Sequence, residues 1–251
     1  MVHSNHSNSG ADRVALVTGT GRRLGTHIAS TLHQHGWRVG LHYFNSVAET
    51  LALCEVFNSD RANSAVALKA DLLDPQASSQ LVTSLAAQWG RLDALINNAA
   101  VFHATPLSDA TPAQWDTIFA VNLKAPFFLS QAAAPLLRSS AGCIVNLIDV
   151  YAERPRVEYA IYCASKAGLI GLTRALAREL APLVRVNAIS PGAILWTAEA
   201  TPAEQAAILA RTPLGRAGEP SDIAGAVEYL VNAPYVTGQV LSVDGGRMIV
   251  D

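Results

Sequence analysis

A doubly wound α/β fold, with one seven-stranded parallel sheet and helices on both faces, is the architecture this sequence predicts. Three observations carry it. Short apolar runs alternate with helix-length amphipathic segments, which is how a parallel sheet covered on both sides is written. A glycine-rich turn directly follows the first run and opens a helix. The 251 residues, half of them hydrophobic, suffice for one large domain with a full core, and no repeat or long linker divides them.

The seven strand candidates follow in order. They are Val14 to Thr18, Arg38 to Tyr43, Ala65 to Lys69, Ala94 to Asn97, Cys143 to Leu147, Arg185 to Ile189 and Gln239 to Val243. Helical stretches separate the first six, including long ones from Val121 to Arg138 and from Glu158 to Ala181. A helix from Glu219 to Asn232 precedes the seventh. The polar start, residues 1–11, reads as a disordered tail, with residues 12–251 forming the domain. The one long irregular stretch, about residues 190–220, follows the carboxyl end of the sixth strand. That is where α/β proteins place substrate lids, and a short helix candidate lies within it at Pro202 to Ala210.

Charge and composition exclude several classes. A net charge of −2 offers no broad electrostatic case for nucleic acid or membrane surfaces. No apolar run approaches the roughly 20 residues a membrane span requires. The three cysteines, Cys54, Cys143 and Cys163, lack paired spacing and suit reduced thiols in a cytoplasmic protein. The seven histidines, His3 and His6 of the tail included, show no ligand spacing with Cys or carboxylates, so no metal is expected.

The turn from Thr18 to Gly25 (TGTGRRLG) follows the first strand. Glycines there allow close approach to a pyrophosphate seated on a helix N-terminus, which points to a dinucleotide. The second strand ends in His42 to Ser46 (HYFNS), without the acidic residue that holds a free ribose 2′-hydroxyl. Asn45 and Ser46 can donate hydrogen bonds, and Arg22 and Arg23 lie in the facing loop. Arginine suits a 2′-phosphate, so NADPH is expected over NADH.

Tyr162 and Lys166 stand four apart on a predicted helix, so phenol and ammonium share a face. A fixed cation there favours the phenolate and is expected to lower the tyrosine pKa, making a proton donor for reduction of a polar double bond. Thirteen residues earlier stands Asp149, an acceptor when ionised. It suits a substrate rich in N–H groups or a relay that returns Tyr162's proton. Its other reading is a strand-end helix cap.

With these residues in place, the chain resembles the short-chain dehydrogenase/reductase family from about Val14 to Gly246. The segments that match are the loop from Thr18 to Gly25, Asn97 to Ala100 (NNAA), Asn122, the Tyr162/Lys166 pair, Ser190 to Gly192 (SPG) and Val243 to Gly246 (VDGG). The resemblance implies a Rossmann-type sheet. Within the family the chain is similar to pteridine reductases. Arg23 occupies the place of the usual middle glycine of the nucleotide loop, and Asp149 that of the usual catalytic serine. Phe102 lies just after NNAA, where that subfamily holds an aromatic that stacks on the pterin. One departure cuts the other way: the basic residue common near Asn45 is missing.

The resemblance implies NADPH-dependent reduction of dihydrobiopterin-, dihydromonapterin- or dihydrofolate-type substrates. Tyr162 is then the proton donor, aided by Lys166, Asp149 and a water relay through Asn122. Arg23, Phe102, Asp149, Tyr162 and the lid residue Trp196 would line the substrate site. Gly19, Arg22, Arg23, Leu24, His42, Asn45, Ser46, Asp71, Leu72, Asn98, Ala99, Ala100, Tyr162, Lys166, Pro191 and Gly192 would line the cofactor. It further implies inhibition by antifolates and a homotetramer. The competing readings are a ketone or 3-oxoacyl reductase, against which Arg23, Phe102 and Asp149 argue, and a non-catalytic NADP sensor, against which the intact proton relay argues.

Overall fold

The computed structural model describes residues 13–196 and 200–250. The tail expected over residues 1–11 and the middle of the lid, residues 197–199, lie outside them.

Seven strands form one parallel sheet: β1 (Val14–Thr18), β2 (Arg38–Tyr43), β3 (Ala65–Lys69), β4 (Ala94–Asn97), β5 (Cys143–Leu147), β6 (Arg185–Pro191) and β7 (Val240–Val243). Their spatial order is β3-β2-β1-β4-β5-β6-β7. The order reverses between β1 and β4, and the crevice at the carboxyl ends of these two strands is where such sheets bind ligands. The helices are α1 (Arg23–Gln34), α2 (Val47–Asp60), α3 (Ala77–Trp89), α4 (Pro112–Phe119), α5 (Ala125–Ser140), α6 (Ala160–Leu180), α7 (Pro202–Ala210) and α8 (Pro220–Asn232).

Strand alternation builds two cores. Ala15, Val17, Ile96 and Val145 face Ile28 and Leu32 of α1 and Val227 and Leu230 of α8. Val14, Leu16, Leu95 and Ile144 face Leu85 of α3, Leu129 and Leu137 of α5, and Leu176 of α6. Central strands buried on both faces therefore read as continuous apolar runs. The three cysteines are free thiols, and among the described residues no helix is long and apolar enough to cross a membrane.

Several boundaries differ from the sequence expectation: β7 starts at Val240 rather than Gln239, α6 spans Ala160–Leu180 within the expected Glu158 to Ala181, and α8 starts at Pro220 rather than Glu219. β6 continues two residues past Ile189, to Pro191. The helix expected from Val121 belongs to a longer run that starts at Pro112, where Thr111 and Gln114 close a capping box. Between α4 and α5 that run widens into a π-turn, Ala120–Lys124, which carries Asn122. π-turns inside helices concentrate at functional sites.

Candidate active site

A cavity of about 440 Å³ opens at the switch point. Its floor comes from the ends of β1, β4, β5 and β6, and its outer wall from α7 and the turn after β7.

The nucleotide loop forms for local reasons. Gly19 has φ +72°, a left-handed turn that glycine adopts without strain. A Cβ on Gly25 would run into the carbonyl oxygen of Gly19, so loop and helix meet only through glycine. Thr18 Oγ1 accepts from the amides of Asn98 and Ala99, both at 2.9 Å, and Asn98 Nδ2 donates to the Thr18 carbonyl at 2.7 Å. The NNAA segment thereby clamps the loop. No side chain caps α1 and its first turn holds no acidic residue, so its leading amides keep their donors for an anion. These features fit a pyridine dinucleotide, its pyrophosphate at the start of α1.

His42 supports this loop from beneath. The Gly19 amide donates to its Nδ1 at 3.2 Å, and its Nε2 lies 3.2 Å from the Ala70 carbonyl, which requires the proton on Nε2. Burial lowers its pKa to about 4 despite the carbonyl bond, so the ring is neutral at pH 7.

Arg23 has φ +58°, the left-handed region usually left to glycine, at a cost of about 1–3 kcal/mol. That strain matches its place at the loop's middle glycine. Its Nη2 donates to the Leu195 carbonyl at 3.1 Å and lies 3.5 Å from that of Trp196, joining the loop to the base of the lid. Arg22 points the other way, and its Nε donates to Glu49 Oε1 of α2 at 2.7 Å. Glu49 was not anticipated from sequence; it stands one helical turn beyond the Asn45–Ser46 segment.

The Tyr162 hydroxyl donates to Asp149 Oδ2 at 2.9 Å. Oδ1 of the same carboxylate accepts from the Tyr151 amide at 2.9 Å and caps a 3₁₀ turn, Val150–Ala152. Asp149 is therefore both a helix cap and a site residue. Burial raises its pKa, opposed by its hydrogen bonds and by the Lys166 and Arg247 charges.

The expectation that Lys166 lowers the Tyr162 pKa is corrected. Burial, and then the Asp149 charge, hold the phenol well above its ordinary value. The ammonium Nζ sits 5.9 Å from the tyrosine ring centroid and donates to the Leu147 carbonyl at 2.7 Å. Burial in turn lowers Lys166 to about 8, while Asp149 opposes the shift. A neutral phenol hydrogen-bonded to a carboxylate is a proton held in reserve.

Asn122 is fully buried, and its side chain is occupied. Its Oδ1 accepts from the Val101 amide at 2.8 Å, and Nδ2 donates to the Val101 carbonyl at 3.0 Å and to Ser165 Oγ at 3.2 Å. The clamp fixes the loop after β4 that presents Phe102. Phe102 stacks on Tyr159, with centroids 4.7 Å apart, and meets Tyr162 edge-on at 4.7 Å.

Of the expected residues, Gly19, Arg22, Arg23, Leu24, Asn98, Ala99, Ala100, Phe102, Asp149, Tyr162, Lys166, Pro191, Gly192 and Trp196 share the cavity wall. His42, Asn45, Ser46, Asp71, Leu72 and Asn122 do not reach it. Tyr151, Arg156, Glu204, Ile208 and Arg247 line it without having been anticipated. No spacing rule joins such scattered positions. Among the described residues, no group of three or more His, Cys, Asp or Glu gathers to hold a metal ion.

Comparison with known proteins agrees with this geometry at the level of the family. A family model described as enoyl-(acyl carrier protein) reductase matches residues 19–247. The chain is 36% identical over 238 residues to the 3-oxoacyl-(acyl-carrier-protein) reductase FabG of Staphylococcus aureus strain Mu50, covering 92% of this chain and 96% of the relative. It is 35% identical over 242 residues to an uncharacterized oxidoreductase of Methylorubrum extorquens, covering 93% and 97%. It is 33% identical over 275 residues to pteridine reductase 1 of Leishmania tarentolae, covering 93% and 95%. With matches that run from the nucleotide loop to the turn after β7, the chain belongs to the short-chain dehydrogenase/reductase family and is an oxidoreductase.

Proposed function

We propose that the chain reduces a pterin ring with NADPH. The observation that carries this reading is the hydrogen bond from Tyr162 to Asp149. A carbonyl substrate wants donors around its oxygen. Here the second polar group is a carboxylate, which accepts and so suits the amino and ring N–H groups of a pterin. Phe102 adds a flat aromatic surface beside Tyr162, and stacking on such a surface contributes about 0.5–1.5 kcal/mol beyond area burial.

A bound dihydronicotinamide supplies the hydride. Tyr162 keeps its proton at neutral pH and gives it up as negative charge develops on the substrate nitrogen. Asp149 orients the phenol and holds a substrate N–H. The Lys166 ammonium lies beneath the tyrosine and offsets the charge left on its oxygen. The Arg23 bonds to the lid backbone shape the far wall. Arg22 at the loop favours a 2′-phosphate and hence NADPH. The exposed aromatic face formed by Trp115 of α4 with Phe127 and Phe128 of α5 would pair with a second copy, as part of a homotetramer.

A second reading is reduction of a 3-oxoacyl thioester. It is supported by the identity to the Staphylococcus aureus relative, which slightly exceeds that to the Leishmania one. Steady-state oxidation of NADPH with dihydrobiopterin, dihydrofolate and a 3-oxoacyl thioester separates the two. The pterins are expected to be the better substrates, with methotrexate competing against them and Tyr162→Phe abolishing turnover. Thioester reduction without pterin reduction or antifolate binding would establish the second reading instead.

A further inference from the structure

The outer end of the cavity is built differently from its floor. Around Tyr151 the wall carries two guanidinium groups. Arg247 Nη2 donates to the Tyr151 hydroxyl at 3.2 Å, and its guanidinium lies 5.0 Å from that ring's centroid. The Arg156 guanidinium sits 4.6 Å over the Tyr159 ring and 5.9 Å from that of Tyr151. Arg154 donates to the Arg247 carbonyl at 3.2 Å and fixes the turn that delivers it. Stacked, half-buried guanidinium groups are preorganised and weakly hydrated, which is how arginine recognises oxyanions.

The Arg247 charge acts on the Asp149 carboxylate, which also accepts from Tyr162 and the Tyr151 amide, and no carboxylate hydrogen-bonds either guanidinium among the described residues. Among the described residues Arg247 has no carboxylate within ion-pair distance. Arg156 has Glu204 at 3.9 Å, beyond hydrogen-bond range. Glu204 is held at the start of α7, where its Oε2 accepts from the Thr201 amide at 2.9 Å and hydroxyl at 3.0 Å, and its Oε1 is the oxygen that faces Arg156.

We infer that this rim is an anion subsite: Arg156 and Arg247 together take a carboxylate or phosphate on the tail of the substrate whose reacting end lies at Tyr162. The inference rests on the reductase reading of that site and narrows its substrate class to molecules with an anionic tail. For a pterin the anion is a carboxylate, as on a p-aminobenzoylglutamate tail. For a carrier-bound thioester it is the phosphate of the pantetheine arm.

Calorimetry on the full chain with NADP present tests the subsite without turnover. The probes are p-aminobenzoylglutamate against its dimethyl ester, and pantetheine 4′-phosphate against pantetheine. At least one charged probe should bind about tenfold more tightly than its uncharged counterpart, the size of one charge-assisted hydrogen bond. Added salt should shrink the difference. Arg156→Met and Arg247→Met keep the apolar stem over the tyrosines and should cut the advantage to within about twofold. An advantage for the carboxylate alone assigns the anion to a pterin tail, and one for the phosphate alone to a carrier arm. Equal binding of charged and uncharged probes to the unsubstituted protein would overturn the subsite, as would a full advantage retained in both variants. Absence of pterin turnover with the charge advantage intact would instead remove the pterin reading and leave the subsite standing.

Discussion

Arg22 and Glu49 join the nucleotide loop to the first turn of α2, with Nε and Oε1 2.7 Å apart on the protein surface. The guanidinium expected to meet a 2′-phosphate is thus already partnered by a carboxylate. A phosphate arriving there must displace Glu49 or share Arg22 with it. Exposed pairs of this kind exchange readily, so on the proposed reading the pair would tune cofactor choice without forbidding it.

Glu49→Gln is therefore expected to tighten NADPH by roughly two- to fivefold and leave NADH unchanged. Arg22→Ala should weaken NADPH about tenfold or more and NADH little. Fluorescence titration with both cofactors reads both effects. Equal changes for NADH and NADPH would mean that Arg22 serves the pyrophosphate or the loop fold instead.

Asp149→Ser isolates the charge at the substrate. Serine also caps helical turns, so the Tyr151 amide keeps an acceptor and the local turn survives. Pterin reduction should fall by about 10²-fold or more, with NADPH affinity changed less than about twofold. If this variant gains 3-oxoacyl turnover, the same residue sets the choice between the two chemistries. Loss of NADPH affinity with pterin turnover intact would make Asp149 a structural cap only.

The pH profile should carry the signature of Lys166. Its pKa, lowered to about 8 by burial, means that the ammonium is present below that pH and lost above it. The kcat/KM for reduction should be level up to about pH 8 and then fall roughly tenfold per unit. Asp149 raises the Lys166 pKa, so Asp149→Asn should move the break to lower pH. A break that stays in place would separate it from this pair.

His42 links pH to stability. Its folded pKa of about 4 lies below the ordinary 6.5. Between these values the unfolded chain binds a proton that the folded chain refuses, so stability is full above about 6.5 and lost as pH falls towards 4. The loss amounts to about 3 kcal/mol. Urea midpoints from neutral pH down to about pH 4.5 should fall more steeply for the native chain than for His42→Gln. Parallel curves would show that the ring is not kept neutral beneath the loop.

Much of the frame was legible because its signals are local. The first five strands lie where their apolar runs end, since a strand buried on both faces tolerates no polar interruption. The Tyr162–Lys166 spacing guaranteed a shared helical face. The start of α4 was missed although its signal, Thr111 with Gln114 and Pro112, was in plain sequence. The π-turn at Asn122 left no such signal, because nothing in five residues specifies a widened turn.

The sequence by itself determined the doubly wound sheet, the glycine loop, the Tyr162/Lys166 pair and the carboxylate at 149, each set by period, turn chemistry or spacing along a few residues. Only the tertiary structure decided what those groups become. It placed Arg247 against Tyr151 from 96 residues away, and drew Arg23 to the lid backbone from 172. It also reversed the sign of the Tyr162 shift. A spacing of four residues guarantees a neighbour, but burial and the distance to each charge set a pKa, and these depend on elements that meet only when the chain has folded.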